Sequence, residues 1–202
     1  MDYLSLTLLD QPLLVVRGQD GIVRVLSNVC LHRAARLVEG AGNRKLFTCP
    51  YHAWAYDTEG QLVRAPLMNE VDGFAEKQCK LPALRTEIWQ GFVLVNLNGE
   101  AAPFAPSVTA YDARFAAWGL ERMVVARTLH FDSPWNWKVL VENFMEAYHH
   151  IAAHSTTLEP LFPARASVVP VNEGPYSILH MPAAPHAESF EGGFPPLPGL
   201  DE

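Results

Sequence analysis

Four residues in two short groups constrain this chain more than any other feature. They are Cys30-x-His32 and, after sixteen intervening residues, Cys49-x-x-His52. Each group holds one thiol and one imidazole, the ligands of soft and borderline metals. To use all four together the chain must bring two loops to one place. The surrounding sequence provides short β segments from which such loops can hang. Leu13–Arg17 and Ile22–Ser27 flank the turn signal Gln19-Asp20-Gly21. Lys45–Thr48 and Ala53–Asp57 flank the second group, and Thr58-Glu59-Gly60 turns the chain into Leu62–Arg64. Leu84–Trp89 and Phe92–Leu97 surround Gln90-Gly91 as another hairpin. Residues 1–98 therefore read as a small antiparallel β domain with its metal loops at one end, beginning with little lead-in.

The order of the ligands matters. A zinc site of the Cys2His2 kind keeps its two Cys together and its two His together. Here each group contributes one of each, which suits a Rieske-type [2Fe–2S] cluster: two Cys on one iron, two neutral His on the other, raising the reduction potential. The competing readings are two buried cysteines beside ordinary histidines, which makes the order a coincidence, and a Cys30–Cys49 disulfide, which a reducing compartment disfavours. Asn28-Val29-Cys30-Leu31-His32-Arg33 and Cys49-Pro50-Tyr51-His52-Ala53-Trp54 resemble the motifs of Rieske non-haem iron oxygenase large subunits (the aromatic-ring-hydroxylating dioxygenase alpha subunit family). The resemblance implies Cys30 and Cys49 on the first iron, His32 and His52 on the second. The family usually has Gly where Ala53 stands. Cys79 matches no ligand position and reads as a small core hydrophobe.

A second group of donors follows a linker. Residues 99–122 comprise a Pro/Ala/Gly-rich boundary and a helix over Val108–Trp118; Met123–Phe131 reads as a strand. Trp137, Leu140, Val141, Phe144 and Tyr148 recur at three- to four-residue steps, predicting a helix from Trp135 to about His150, capped by Asp132 or Ser133 with Pro134 just inside its start. A strand is possible around Tyr176–Met181. The helix carries Glu142, Asn143, Glu146, His149 and His150, with His154 beyond. A carboxylate with two His is the ligand set of non-haem Fe(II) with open positions; the plain alternative is a solvated polar helix face. On a regular helix His150 and His154 share a face, whereas His149 lies about 140° from His154. The family resemblance instead assigns His149 and His154, and requires the helix to bend or end near His150. It also implies that Glu146 bridges His149 to His52 of the partner subunit, and that Asn143 lies near the iron; Tyr148 matches the motif too but reads equally as core. The family's third, acidic ligand lies much further along; Asp201 and Glu202 come too early and sit in a proline-rich tail.

The expected fold is α+β: the antiparallel-β Rieske domain, then over 123–202 the beginning of a helix-grip catalytic domain. The resemblance implies electron passage from the cluster to a mononuclear Fe(II) that activates O2 to hydroxylate or demethylate a small organic substrate. VENFMEAYHH, with Glu at the bridging position, looks more like the choline, carnitine and betaine branch than the naphthalene-type ring dioxygenases, pointing to a quaternary ammonium compound. The alternative is a Rieske electron-transfer protein, or an inactive fragment without a complete iron site. No Gly-x-Gly-x-x-Gly follows a strand, so NAD(P)H would act through a separate reductase, with or without a ferredoxin between them. A homotrimer is expected of the full-length protein, and the chain reads as a piece of something longer. Net charge −7 and scattered arginines argue against nucleic acid. No apolar run approaches the ~20 residues of a membrane span. Three sparse cysteines and an N-terminus without a basic region make the cytoplasm the default.

Overall fold

A computed structural model describes residues 1–171, 174 and 176–185. The chain divides into two compact units, Met1–Pro103 and Phe104–Glu202.

The first unit is built from β1 (Asp2–Leu8), β2 (Gln11–Arg17), β3 (Val23–Ser27), β4 (Ala41–Asn43), β5 (Leu46–Thr48), β6 (Ala55–Asp57), β7 (Leu62–Arg64), β8 (Ala83–Trp89) and β9 (Phe92–Asn96). A six-stranded sheet runs β4-β1-β2-β3-β8-β9, and a three-stranded sheet runs β5-β6-β7. All pairings are antiparallel, as hairpin-connected short strands favour. Gln90-Gly91 forms the expected two-residue turn, with φ of 49° and 85°. The β1–β2 turn is of the same kind, but its left-handed residues are Leu9 and Asp10, at φ of 47° and 62°. Asp10 tolerates that conformation, but Leu9 does not signal it and no Gly or Asn marks the pair. Leu14, Val16, Leu26, Phe47, Trp54, Tyr56, Leu62 and Leu81 pack in one core, and Cys30 and Cys49 belong to it. Burying Phe47 or Leu14 contributes about 1.5–3 kcal/mol each, so the metal loops are rooted in the most firmly held part of the unit.

In the second unit α1 (Thr109–Phe115) is flanked by short 3-10 turns at Ala105–Val108 and Ala116–Trp118. α2 spans Trp137–Phe144 and α3 spans His150–Ala153. Three expectations need correcting. The helix expected to reach about His150 ends at Phe144, because the chain turns at Met145–His149. Its cap is Asn136, whose side chain accepts the Lys138 N–H at 3.0 Å, so Asp132, Ser133 and Pro134 lie outside the helix. Met123–Phe131 is not a strand: it pairs with no described segment, and Val124, Val125 and Phe131 are more than four-fifths exposed. The apolar content favours extended chain, but a strand needs a ladder partner. The Tyr176–Met181 segment makes only one bridge, His180 to Val168.

Candidate metal centres

The two loops of the first unit are near copies in their hydrogen bonding. Cys30 N–H donates to the Ala35 carbonyl at 2.8 Å, and Ala34 N–H donates back to the Cys30 carbonyl at 3.0 Å. Cys49 N–H donates to the Trp54 carbonyl at 2.7 Å, and Ala53 N–H to the Cys49 carbonyl at 3.1 Å. In both, the fourth residue after Cys takes a left-handed conformation, Ala34 at φ 55° and Ala53 at φ 57°. That twist turns the chain back sharply, tucking each thiol inward. Cys30 and Cys49 are 2% and 3% exposed, and neither is in a disulfide.

The two imidazoles meet at the exposed side. The His32 and His52 rings are 4.6 Å apart and steeply inclined. Trp54, itself buried, stacks on His32 at 4.9 Å with planes 9° apart, and Phe74 backs Trp54. Tyr51 stacks on His52 at 3.9 Å. Two residues outside the ligand pattern complete the loops. The buried Asn28 side chain bonds both polar groups of the Val38 backbone, closing the first loop. The Tyr56 hydroxyl accepts the Leu31 N–H at 3.0 Å and lies 3.4 Å from Cys30 Sγ, a contact in which a metal-bound thiolate would accept the hydroxyl proton. Burial and the Cys30 contact push that hydroxyl well above its ordinary pKa. Sequence reasoning missed both. Asn28 borders the motif and Tyr56 is the lone aromatic of a strand next to it, but neither position shows its partner.

The donor set fits a [2Fe–2S] cluster: two free buried thiols for one iron, two neighbouring imidazoles for the other. Among the described residues, no three His, Cys, Asp or Glu side chains converge on a single metal position.

In the second unit the turn between α2 and α3 carries the other candidates. Glu146 folds back on its own chain. One carboxylate oxygen accepts the backbone N–H groups of Tyr148 and His149, and the other meets His149 Nδ1 at 2.5 Å. These bonds, the His149 imidazole first, hold the Glu146 carboxyl below its ordinary pKa. The helix stops because a carboxylate takes N–H groups that a continuing helix would use. The His149 and His154 rings stand 5.3 Å apart by centroid, and the His150 and His154 rings 5.7 Å. The break precedes α3, which is flanked by His149 and His154, so both His149 and His150 stand beside His154. His154 Nδ1 faces the Thr157 hydroxyl at 3.4 Å. Asn143 lies exposed on α2, and Tyr148 is 81% exposed and so not core. Two imidazoles with one ring nitrogen each engaged by an oxygen fit two ligands of a mononuclear iron, with outer partners fixing the tautomers. Asp201 and Glu202 lie outside the described residues.

The "Rieske [2Fe-2S] domain" family matches residues 1–75, and "Ring hydroxylating alpha subunit (catalytic domain)" matches residues 120–197. The carnitine monooxygenase oxygenase subunit of Acinetobacter baumannii is 31% identical over 156 residues, which is 76% of this chain and 42% of that protein. The quaternary ammonium Rieske monooxygenase CntA, in complex with an inhibitor, has a similar structure: TM-score 0.81, 27% identity, covering 92% of this chain and 52% of that one. Naphthalene 1,2-dioxygenase with bound indole superposes less closely, at TM-score 0.58 and 32% identity over 78% of this chain and 37% of that one. The chain thus spans about two-fifths of the length of the carnitine relative. With its thiol-imidazole loops, its Glu146–His149–His154 turn and both domain matches in the same order, the chain belongs to the family of Rieske non-haem iron oxygenase large subunits.

Proposed function

We propose that this chain is the electron-delivering part, and the beginning of the oxygen-activating part, of a Rieske oxygenase. The observation that carries the reading is the paired loop geometry, which buries two thiols and presents two imidazoles. Cys30 and Cys49 hold one cluster iron, His32 and His52 the other. His149 and His154 supply two ligands to a mononuclear Fe(II), and a third, acidic ligand comes from elsewhere in the full-length protein. A bound cluster supplies single electrons, and Fe(II) with open positions supplies O2 activation.

The chain's residues do the arranging. Glu146 sets the His149 tautomer, because a carboxylate accepts and the facing Nδ1 must then carry the proton. That leaves Nε2 as the lone-pair nitrogen. Trp54 and Tyr51 cover the faces of His32 and His52. With Cys30 bound to iron as a thiolate, Tyr56 directs its proton toward Cys30 Sγ. By the family pattern, Glu146 also reaches His52 of the partner subunit in a homotrimer, with a separate reductase, directly or through a ferredoxin, feeding electrons from NAD(P)H. Asn143 would then lie near the iron.

A quaternary ammonium substrate, hydroxylated or demethylated, is the favoured class. The support is the closer superposition on CntA than on naphthalene dioxygenase, and the carnitine oxygenase relative. The electron-transfer alternative is disfavoured by the catalytic-domain match over residues 120–197. Free cysteines suit the cytoplasm, and among the described residues no helix is long and apolar enough to cross a membrane.

Iron and acid-labile sulfide analysis tests the reading. Cluster iron should vanish in Cys49→Ser, and an additional iron should be present in the unaltered protein and lost in His154→Ala. Cluster iron alone, unchanged in His154→Ala, would leave only electron transfer. Carnitine should then stimulate O2 uptake by the full-length protein with NAD(P)H and reductase, and naphthalene should not.

A further inference from the structure

His150 belongs to neither proposed ligand pair, yet it is 4% exposed, one of the buried polar residues among those described. Its Nδ1 lies 3.3 Å from the Phe162 carbonyl oxygen. A carbonyl only accepts, so Nδ1 carries the proton and the ring is tethered through it. The tether closes a circuit. Phe162 N–H donates to the Leu158 carbonyl at 2.7 Å, and Leu158 N–H donates to the His154 carbonyl at 3.1 Å. Thr157 and Glu159 N–H groups converge on that same His154 carbonyl. From His150 the path thus runs through Phe162 and Leu158 to the backbone of His154, and back along α3. The His150 ring also stands nearly perpendicular to both neighbours, at 4.9 Å from His149 and 5.7 Å from His154.

Two arms therefore meet at His150. One is the Glu146-pinned turn that carries His149; the other is the 154–162 turn that carries His154. α3 has four residues, too short to hold itself as an isolated helix. Its alignment must come from such tethers. We propose that His150 is a positioning residue that sets the spacing of His149 and His154, and thereby the metal affinity of that pair. This rests on reading His149 and His154 as iron ligands. The Phe162 carbonyl engages His150 Nδ1, and it is this tether that the proposal uses.

Co(II) titration of the protein, stripped at the mononuclear site and with its cluster oxidised and EPR-silent, tests this by affinity and by the Co(II) EPR signal. His150→Asn keeps an N–H donor near the Nδ1 position; His150→Phe keeps the ring and removes the donor. His150→Phe should weaken Co(II) binding roughly tenfold and alter the signal, while His150→Asn stays within about threefold of the unaltered protein. If His150→Phe does not fold, judged by cluster absorption and far-UV circular dichroism, His150→Gln replaces it, because its amide sits at the Nε2 position, away from the carbonyl. Unchanged binding in the donor-less variant overturns the proposal. So does an equal loss in it and in His150→Asn, which would make the ring a ligand or mere filler. His154→Ala separates the premise: if it binds Co(II) normally, the ligand assignment fails whatever His150 does.

Discussion

At the scale of single residues, Tyr56 and Ala53 show how the loops are held. The Tyr56 hydroxyl joins the Leu31 N–H to the Cys30 sulfur inside a buried core. A hydrogen bond to a cluster sulfur stabilises the more negative, reduced state. Tyr56→Phe should therefore lower the reduction midpoint of the cluster, read by redox titration, and cost about 1 kcal/mol in stability. An unchanged potential would mean that the proton points elsewhere. Ala53 makes a different point. A left-handed conformation costs an L-residue roughly 1–2 kcal/mol, whereas glycine adopts it freely but loses about 0.5–1 kcal/mol through its looser unfolded chain. Ala53→Gly should stabilise the protein by up to about 1 kcal/mol, measured by chemical denaturation, with the cluster spectrum unaltered. Ala34, its counterpart at φ 55° in the first loop, should respond in the same direction.

Turns and helices answer to charge and partner. In the β2–β3 turn, Asp20 accepts the Ile22 N–H at 3.0 Å and takes both Arg24 N–H groups on its two oxygens. Arg24 holds the Asp20 carboxyl down, from an ordinary 3.8 to about 2. A depressed pKa gives stability that is present above the ordinary value and lost as pH falls through the depressed one. The stability gap between the unaltered protein and Asp20→Asn should thus be complete at neutral pH, shrink below pH 3.8 and close near pH 2. Melting curves across that range check it, and a gap independent of pH would assign the effect to the turn's shape alone. This turn was legible in the sequence because Gln19-Asp20-Gly21 carries its geometry in residue type. Gln90-Gly91 was legible for the same reason, and the interleaved Cys and His pairs because ligand chemistry dictates their order. What escaped depended on distant partners. Leu9-Asp10 turns with a leucine in the left-handed position, Met123–Phe131 has strand composition but no described ladder, and α2 ends where the Glu146 side chain reaches its neighbours' N–H groups rather than at any Gly or Pro. That break separates α2 from α3, at whose start both His149 and His150 stand beside His154, at 5.3 and 5.7 Å by ring centroid.

At the scale of the whole chain, the two units are unequally self-sufficient. Cys30, Cys49 and the core around them all lie within Met1–Pro103, and both sheets are completed inside it. A unit of about 100 residues with one continuous core is large enough to fold alone. The second unit, as described, leaves α2 without a buried residue: Trp137 is 68% exposed and Phe144 71%. Exposed aromatics on one short helix mark a surface that binds other apolar matter. A chain ending at Pro103 should therefore fold cooperatively and take up the cluster with the absorption spectrum of the 202-residue chain. It should bind less of a hydrophobic dye such as anilinonaphthalene sulfonate than the 202-residue chain does. Loss of the cluster in the shorter chain would show that residues beyond Pro103 support the loops, because every ligand and every core contact identified for the cluster would still be present. Retention, with the dye signal gone, would locate the electron-carrying function in the first unit, and in the second the demand for a larger protein surface.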